Sequence, residues 1–285
     1  NNGLAYMNVT LQDKTGTIEA KKWDLSEEDA SLLTVGNVVL IDGDVLNYRD
    51  NLQVKIRAVS KVADGEFDAT RFTMSSPIPL EELEKRLDYY VNSLKDTDVS
   101  LLTKTLVNKF YKSYITFPAA VRNHHEFASG LLHHTLQMAD LGEALAKLYP
   151  SIDRDMLIAG ILLHDLGKTL ELSGPIIPKY TLDGKLLGHI SITHAEIQKA
   201  VDTLKISGEG ATLLSHMVLS HHGKYEYGSP VLPLTREAYL LSVIDDLDAK
   251  MMILDKAYDQ TQEGDFTARL YAMDDRSFYK PKKYK

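Results

Sequence analysis

The 285-residue sequence contains no cysteine. This absence excludes disulfide bonds, zinc sites with thiolate ligands and a thiol nucleophile, and it is typical of cytoplasmic proteins. The sequence also lacks any apolar run near the roughly 20 residues that cross a bilayer, and it lacks a signal-like amino terminus. We therefore expect a cytoplasmic protein without a membrane segment. Because the chain begins at Asn1 and not at a methionine, we also expect that an amino-terminal piece is missing.

An excess of positive charge is lacking as well, since the formal net charge is −8 at pH 7. Such a charge argues against a protein that coats duplex nucleic acid by overall electrostatic attraction, although it allows a local basic groove. It also suits an acidic cluster that is neutralised by divalent metal. At this length the chain can form two domains or one large one.

Histidine is confined to one part of the chain. All ten histidines lie between His124 and His222, and six of them form adjacent pairs. The pairs are His124-His125, His133-His134 and His221-His222. Random placement rarely produces such clustering, and histidine is the commonest metal ligand, with carboxylates completing its sites. The pattern predicts a metal site in this region.

The pair His164-Asp165 directly follows the apolar run Met156–Leu163, with Gly167 and Lys168 beyond it. The run predicts a buried helix that carries an imidazole and a carboxylate at its end and that terminates at Gly167. A packed helix fixes the geometry of two such ligands. The dipeptide alone is weak evidence, because chance can supply one.

The first 65 residues are predicted to form β structure, because apolar and polar residues alternate and turn residues separate the alternating runs. Four strands are predicted, at residues 4–11, 17–23, 38–47 and 52–62, with a short helix around 26–33. This order resembles an OB-fold of the tRNA-anticodon-binding type whose first strand is missing. OB-folds are partly open barrels that bind single strands or oligosaccharides.

The polar faces of these strands carry residue types that suit a single-strand platform, in which basic groups follow the phosphates and aromatic rings stack on bases. These residues are Tyr6, Asn8, Lys21, Trp23, Lys55 and Arg57. In the alternative interpretation Trp23 belongs to the core and the lysines are solvated surface. The sequence leaves both interpretations open.

After residue 65 the pattern becomes helical. We predict a linker with two leading helices at 66–120 and a helical domain at 121–285. Within that domain, one helix is predicted at 130–148 and a second is predicted to end at residue 164. Further helices are predicted at 189–204, 209–220 and 235–258, and a loop or small hairpin at 171–187.

The sequence resembles the HD-domain metal-dependent phosphohydrolases at His134, at the pair His164-Asp165 and at Asp245. The stretches around them are most similar to the YhaM-type 3′→5′ exoribonucleases, which join an OB-fold to an HD domain. These stretches are Pro118–Ala120 with His124-His125, Gly130–Thr135, His164–Lys168, Leu219–Gly223, Tyr227–Pro230 and Ile244–Lys250. The resemblance implies a small all-β OB-fold barrel followed by an all-α HD-domain bundle. Ser129 is one departure, because the resemblance leads us to expect glycine there.

The resemblance further implies two divalent metal ions. The first ion is expected to be held by His134, His164, Asp165 and Asp245. The second is expected to be held by His189, His221 and His222, with Asp165 bridging the two ions. Which of His221 and His222 is a direct ligand stays open. The resemblance favours Mn²⁺, and the mixed donor set also suits Fe²⁺, Co²⁺ or Zn²⁺.

Other charged residues of this region have two interpretations each. Lys168 is expected to contact a phosphate oxygen, or else to complement the end of its helix. Arg122, His124 and His125 are expected to contact phosphate or to transfer a proton. His133 is predicted to be a surface or supporting residue. A structural role is predicted for His194 and His216. Solvated or capping charges are predicted for Asp246 and Asp248.

The leading hypothesis is a metal-dependent 3′→5′ exoribonuclease that degrades single-stranded RNA to nucleoside monophosphates, and the sequence leaves open whether single-stranded DNA is also a substrate. One alternative is a phosphohydrolase of small nucleotides, such as a nucleotidase or cyclic-nucleotide phosphodiesterase, with a structural OB domain. The other is a single-strand-binding or regulatory protein with an inactive metal site. The oligomeric state stays open, a homo-oligomer included.

Overall fold

The structure is a computed structural model that describes residues 5–13, 16–48, 51–63, 67, 72, 76–95, 97–119, 127–175 and 178–282. The chain divides into two compact units, one up to residue 75 and the other from residue 76 onward. No helix in these ranges is both long enough and apolar enough to cross a membrane.

The first unit is built on one four-stranded sheet. Its elements are β1 (Tyr6–Asp13), β2 (Gly16–Trp23), α1 (Glu27–Leu32), β3 (Val39–Tyr48) and β4 (Asn51–Lys61). The strand order is β1-β2-β4-β3. β1 and β2 are antiparallel, as are β3 and β4, whereas β2 and β4 pair in parallel. The predicted strands and the short helix are confirmed, with ends that differ by a few residues.

The alternation that predicted β1 also describes its two faces. Met7, Val9 and Leu11 are partly buried against a small apolar core, while Tyr6, Asn8 and Thr10 are exposed. α1 begins at a capping box, in which the Ser26 hydroxyl accepts a hydrogen bond from the Asp29 N–H and the Asp29 carboxylate accepts one from the Ser26 N–H. One face of β1 therefore packs on the small core, and the other is exposed to solvent.

The second unit is helical. Its helices are α2 (Leu80–Ser93), α3 (Thr97–Tyr114), α4 (Gly130–Leu148), α5 (Arg154–Leu163), α6 (Lys168–Glu171), α7 (Leu182–Leu204), α8 (Glu209–Ser220) and α9 (Arg236–Asp259), with 3₁₀ turns at Tyr225–Tyr227 and Tyr271–Met273. α5 lies at the centre and contacts α3, α4, α8 and α9. A helix that is apolar on all sides is stable only when it is surrounded, and every residue from Met156 to Leu163 is buried. This packing fixes the position of whatever follows α5.

The prediction that Gly167 terminates the central helix was wrong. α5 ends at Leu163, and Gly167 precedes the short helix α6 with an ordinary φ of −61°. Glycine is needed there because α6 packs closely on α7. A Cβ atom at Gly167 would collide with the His189 carbonyl oxygen and lie 2.6 Å from Thr193 Oγ1.

Leu172 and Tyr180, which lie between α6 and α7, form an antiparallel bridge, in agreement with the predicted loop or small hairpin. α7 nevertheless begins earlier than predicted, at Leu182, and it is kinked at Gly188, where φ is 72° and ψ is 155°. Glycine adopts this conformation without steric cost. His189 is consequently the first residue after the kink.

Ser129, which stands where glycine was expected, has a left-handed conformation with φ 63° and ψ 15°. It directly precedes α4. Serine pays a steric cost in this region that glycine avoids. The resemblance therefore identified a position with a real conformational requirement.

Candidate functional site

Seven predicted ligands from five parts of the helical unit come together around α5. The imidazole rings form a continuous cluster, with centroids 5.4 Å apart for His134 and His164, 5.0 Å for His164 and His221, and 4.3 Å for His221 and His222. His189 lies 5.6 Å from His221 and 5.3 Å from His222 by the same measure. Asp165 and Asp245 approach these rings through their carboxylate oxygens.

Asp165 lies between two groups of histidines. Its Oδ2 is 3.2 Å from His164 Nε2 and 3.8 Å from His134 Nε2. Its Oδ1 is 3.3 Å from His189 Nε2 and 3.7 Å from His221 Nε2. Two sets of potential ligand atoms can be defined, and within each set the atoms lie within 4.8 Å of one another. One set comprises His134, His164 and Asp165, and the other comprises His189, His221 and His222. One carboxylate thus faces both sets.

The orientation of each imidazole is fixed by its Nδ1 atom. Nδ1 lies 2.8 Å from the Ile161 carbonyl oxygen in His164, 2.7 Å from the Val218 oxygen in His221, and 2.6 Å from the Tyr227 oxygen in His222. Because a carbonyl oxygen can only accept, Nδ1 carries the hydrogen and Nε2 keeps its lone pair. These rings are therefore arranged as metal ligands are, with the second nitrogen held by the protein.

Several of these lone pairs have no hydrogen-bond partner in the part of the chain that the structure describes. They belong to Nε2 of His164, His189 and His221. Oδ1 of Asp165 likewise has no hydrogen-bond partner among the described residues. Buried polar atoms are normally hydrogen-bonded, and leaving them without a partner is costly. A cation that accepts nitrogen and oxygen donors removes this cost. The donor set therefore fits a divalent metal ion.

The charges of the site support the same conclusion. Although burial opposes both shifts, the nearby Lys168 ammonium group holds the pKa of Asp165 well below its usual range, and the hydrogen bond with His134 lowers the pKa of Asp245. Burial, together with the neighbouring rings, lowers the pKa values of His221 and His222. Ionised carboxylates and neutral imidazoles are the forms that bind metal.

His134 differs from the other rings because two carboxylates hold it. Its Nδ1 is 2.6 Å from Asp248 Oδ2 and its Nε2 is 3.2 Å from Asp245 Oδ1. Burial lowers the pKa of His134, but these two carboxylates outweigh it and raise the pKa to about 9. A metal ion that binds Nε2 at neutral pH must therefore displace a proton.

The prediction that Asp248 is a solvated or capping charge was wrong. Asp248 is buried and contacts His134, because residues three apart on α9 lie on the same side and both Asp245 and Asp248 face α4. That spacing was the available signal. Asp246, in contrast, is exposed and pairs with Lys250 at 2.6 Å, as predicted.

Glu171 was not singled out from the sequence. It is buried, and its Oε1 accepts a hydrogen bond from the His189 backbone N–H at 3.1 Å and lies 3.2 Å from His189 Nδ1. Glu171 thereby holds both the backbone and the ring of the residue that follows the Gly188 kink. No sequence pattern marks this role, since it depends on how α6 packs on α7.

The remaining histidines lie outside the two ligand sets. His133 is buried with Nδ1 2.6 Å from Ser76 Oγ, which excludes the predicted surface location and leaves the predicted supporting role. His216 Nε2 accepts a hydrogen bond from the Leu234 N–H at 2.9 Å, in agreement with a structural role. His194 belongs to neither set. Arg122, His124 and His125 lie outside the described residues.

A cavity of about 440 Å³ opens next to the ligand sets. Asp165, Lys168, His189, His221, His222 and Asp245 line it, and Tyr180 and Tyr227 extend it. Lys168 Nζ lies 2.6 Å from Asp165 Oδ2, which raises the pKa of Lys168 although burial opposes the shift. The cavity therefore joins a cation, a metal-binding cluster and aromatic rings.

The exposed face of the sheet in the first unit forms a second candidate surface. Tyr6 and Trp23 are paired across β1 and β2, and their rings are stacked with centroids 5.0 Å apart and planes inclined by 25°. Trp23 is 48% exposed, so the interpretation that placed it in the core was wrong. Stacked, accessible rings of this kind are typical of single-strand platforms.

The basic residues of this face lie beside the rings. Asn8 is paired with Lys21, and Lys21 with Lys55, so these three residues form a row across β1, β2 and β4. Arg57 contacts Asp42 at 2.8 Å and Asp44 at 3.1 Å. The charge of Arg57 is therefore partly neutralised within the sheet, which the sequence did not predict.

Comparisons with known proteins agree with both surfaces. Residues 131–250 match the HD domain family, and residues 1–62 match the OB-fold nucleic acid binding domain family. The fold and the site thus define an OB-fold and HD-domain protein that binds nucleic acid and divalent metal. Over 283 residues, which are 98% of this chain and 87% of the relative, it is 47% identical to the 3′-5′ exoribonuclease YhaM of Geobacillus sp. (strain WCH70). The chain belongs to the YhaM 3′-5′ exoribonuclease family.

A solved structure is also similar to part of the chain. It is the crystal structure of the HD domain of the L. monocytogenes phosphodiesterase PgpH, with 20% sequence identity and a TM-score of 0.31. The match covers 53% of this chain and 73% of that chain. At this TM-score the similarity supports no conclusion about the present protein.

Proposed function

We propose that the protein is a 3′→5′ exoribonuclease that uses two divalent metal ions to release nucleoside monophosphates from single-stranded RNA. One observation carries the proposal: a single buried carboxylate, that of Asp165, faces two sets of histidine nitrogens at the wall of an open cavity. The identity of this chain to YhaM over nearly its whole length supports the same reaction and substrate.

The first ion is proposed to bind His134, His164, Asp165 and Asp245. His189, His221 and His222 would hold the second ion, and the Asp165 carboxylate faces both sets of donors. Imidazole and carboxylate donors suit Mn²⁺, which we favour, and also Fe²⁺, Co²⁺ or Zn²⁺. When bound, two such ions neutralise the phosphoryl oxygens and supply a nucleophilic hydroxide from water at neutral pH.

The protein residues orient the reaction. Asp248 and Glu171 contact Nδ1 of His134 and His189, which fixes the direction in which each Nε2 atom points. Lys168 lines the cavity and is proposed to contact a phosphate oxygen as a point charge. Hydrolysis adds the water oxygen to the phosphorus of the last nucleotide and breaks its bond to the preceding O3′, which takes up a proton.

The sheet face of the first unit is proposed to bind the RNA strand. Tyr6 and Trp23 provide stacking surfaces for bases, and Lys21 and Lys55 provide positive charge for phosphates. Such contacts tolerate many sequences, because every base has a flat face. Arg57 is expected to contribute less, since Asp42 and Asp44 already contact it.

The direct test uses 5′-labelled single-stranded RNA with Mn²⁺, in one form with a free 3′ end and in another with a blocked 3′ end. We expect progressive shortening of the free form, with release of mononucleotides, and survival of the blocked form. A parallel series with single-stranded DNA measures the selectivity for RNA. If RNA survives while free or cyclic nucleotides are hydrolysed, the protein is a small-nucleotide phosphohydrolase and the proposal is wrong.

A further inference from the structure

The cavity contains two aromatic side chains that the proposed metal chemistry does not use. Tyr180 comes from the hairpin before α7 and is 48% exposed, and Tyr227 comes from the 3₁₀ turn after α8 and is 54% exposed. Both line the same cavity as Asp165. Both rings are therefore accessible to a molecule that enters the cavity, and an aromatic ring can stack on another flat group.

Tyr227 is fixed to the metal-binding cluster through its backbone. Its carbonyl oxygen accepts the hydrogen bond from His222 Nδ1 at 2.6 Å. On the ring side, Lys224 Nζ lies 5.1 Å from the centroid of the Tyr227 ring, a cation–π distance. The ring is thus held at a defined place relative to the cluster. Tyr180 has no comparable bond to one of the proposed ligands among the interactions that the structure describes.

The cavity has the size and composition of a nucleotide pocket. Its volume of about 440 Å³ lies within the roughly 300–1,000 Å³ that ligand pockets occupy. Its metal-binding wall suits a phosphate, and its tyrosines suit a flat, apolar group. A nucleoside monophosphate combines these two chemistries in one molecule.

We propose that the cavity is a subsite for the 3′-terminal nucleotide and that the Tyr227 ring stacks on its base. The inference rests on the proposed exoribonuclease function and adds how the last nucleotide is held. Stacking does not distinguish one base from another by hydrogen bonds. The subsite therefore accepts all four bases and requires only that a base is present.

The test compares RNA that ends in an ordinary nucleotide with RNA whose last nucleotide lacks its base but keeps the 3′-hydroxyl group. For the unmodified protein, we expect loss of the base to raise KM for the first cleavage by roughly 5- to 100-fold, the range of one base–aromatic stack. Tyr227→Ala should raise KM equally on ordinary RNA, with no further increase on the baseless RNA. Tyr227→Phe should behave like the unmodified protein.

Two further variants serve as controls. Tyr225→Ala removes a ring from the same turn that is 62% exposed but does not line the cavity, and it should change neither KM nor the response to the missing base. Tyr180→Ala should retain the response to the missing base. Metal content is measured for each variant, because Tyr227 also contacts His222 through its carbonyl group.

A binding measurement separates this inference from the proposed function. Calorimetry with the Mn²⁺-loaded protein compares the binding of adenosine monophosphate with that of ribose 5-phosphate. Adenosine monophosphate should bind more tightly to the unmodified protein than to Tyr227→Ala, whereas ribose 5-phosphate should bind equally to both. The inference is overturned if Tyr227→Ala impairs ordinary and baseless substrates equally, or if Tyr180→Ala alone abolishes the effect of the base. Failure to shorten any RNA, with this binding difference intact, would instead refute the exoribonuclease proposal.

Discussion

The two units of the protein present their functional side chains in opposite environments. Tyr6 and Trp23 lie on an open sheet face above a small core of Ala20, Leu33 and Ile56. His164 and His221 are fully buried, and backbone carbonyl groups hold both rings. The sheet therefore presents its aromatic rings to solvent, whereas the helical unit holds its donor atoms buried in one arrangement.

This difference indicates how sensitive each unit is to substitution. An exposed contact can be replaced by a neighbouring one, and the lost side chain leaves only water behind. A buried donor belongs to a set of mutually dependent contacts, and its removal leaves uncompensated partners. Substitutions in the helical unit should therefore affect the reaction, while those on the sheet should affect binding.

The largest effect is expected from Asp165→Asn, which removes the charge that both histidine sets share. Metal ions in such sites contribute several kcal/mol to transition-state stabilisation, so kcat on RNA should fall by about 10²–10⁴-fold. Binding of RNA, measured by fluorescence anisotropy, should stay within about twofold if binding depends mainly on the sheet. A parallel loss of binding would break the comparison between the two units.

Asp248→Asn should have the next largest effect, because it weakens the contact that holds His134. Residues that orient metal ligands typically contribute 10- to 100-fold to metal affinity or activity, and we expect a loss of about that size in Mn²⁺ affinity by calorimetry. Asp255→Asn changes an exposed carboxylate of the same helix and is the matched control. Equal effects of the two substitutions would show that only the charge of α9 matters.

Trp23→Ala should weaken the binding of single-stranded RNA by about tenfold, since one base–aromatic stack contributes about 1–3 kcal/mol. At saturating RNA, kcat should be unchanged. Tyr271→Ala is the control, because Tyr271 is 92% exposed but lies in the second unit. A fall in kcat with unchanged affinity would assign Trp23 to the chemistry and not to the platform.

Lys55→Ala and Arg57→Ala should differ in how they change the salt dependence of RNA binding. Each lost phosphate contact reduces the slope of log K against log salt by about 0.7 for single strands. We expect a reduction near that value for Lys55→Ala and a smaller one for Arg57→Ala, because Asp42 and Asp44 already balance Arg57. The measurement is made on the Asp165→Asn background, which keeps the RNA intact. A larger change for Arg57→Ala would mean that its ion pairs open when RNA binds.

Ser129→Gly should have the smallest effect and should be stabilising. Glycine avoids the strain of the left-handed conformation but gains freedom in the unfolded chain, so the free energy of unfolding should rise by about 0.5–1 kcal/mol. Ser113→Gly, within α3, should instead lower it by about 0.5 kcal/mol. Urea denaturation measures both changes, and destabilisation by Ser129→Gly would contradict the strain described here.

Much of the fold could be predicted because strong local patterns coincide with tertiary packing. The helix at 130–148 and the helix at 209–220 have the bounds that the sequence predicted. The beginning of α7 was missed because Gly188 interrupts the pattern and because the close approach of Gly184 to the Glu171 backbone of α6 is a tertiary contact. Local periodicity contains no information about such a contact.

The candidate site divides in the same way. Histidine clustering and the resemblance identified the residues that the structure brings together, but not the groups that orient them. Glu171 and the Tyr227 carbonyl group act on His189 and His222 through contacts that form only after the chain has folded. The phosphate contact expected of Lys168 stays a prediction; Lys168 lines the cavity, and its contact with Asp165 followed only from the structure.

The position of Asp165 between the two histidine sets has a thermodynamic consequence. An ion held by one set changes the charge and the orientation of a carboxylate that the other set also faces. Linkage then requires each ion to alter the affinity of the other by the same factor. Titration of the protein with metal should therefore show two coupled steps, and the dependence of activity on metal concentration should deviate from a single hyperbola. In the proposed two-metal centre, the carboxylate between the two sets is expected to couple the occupancy of one ion to that of the other.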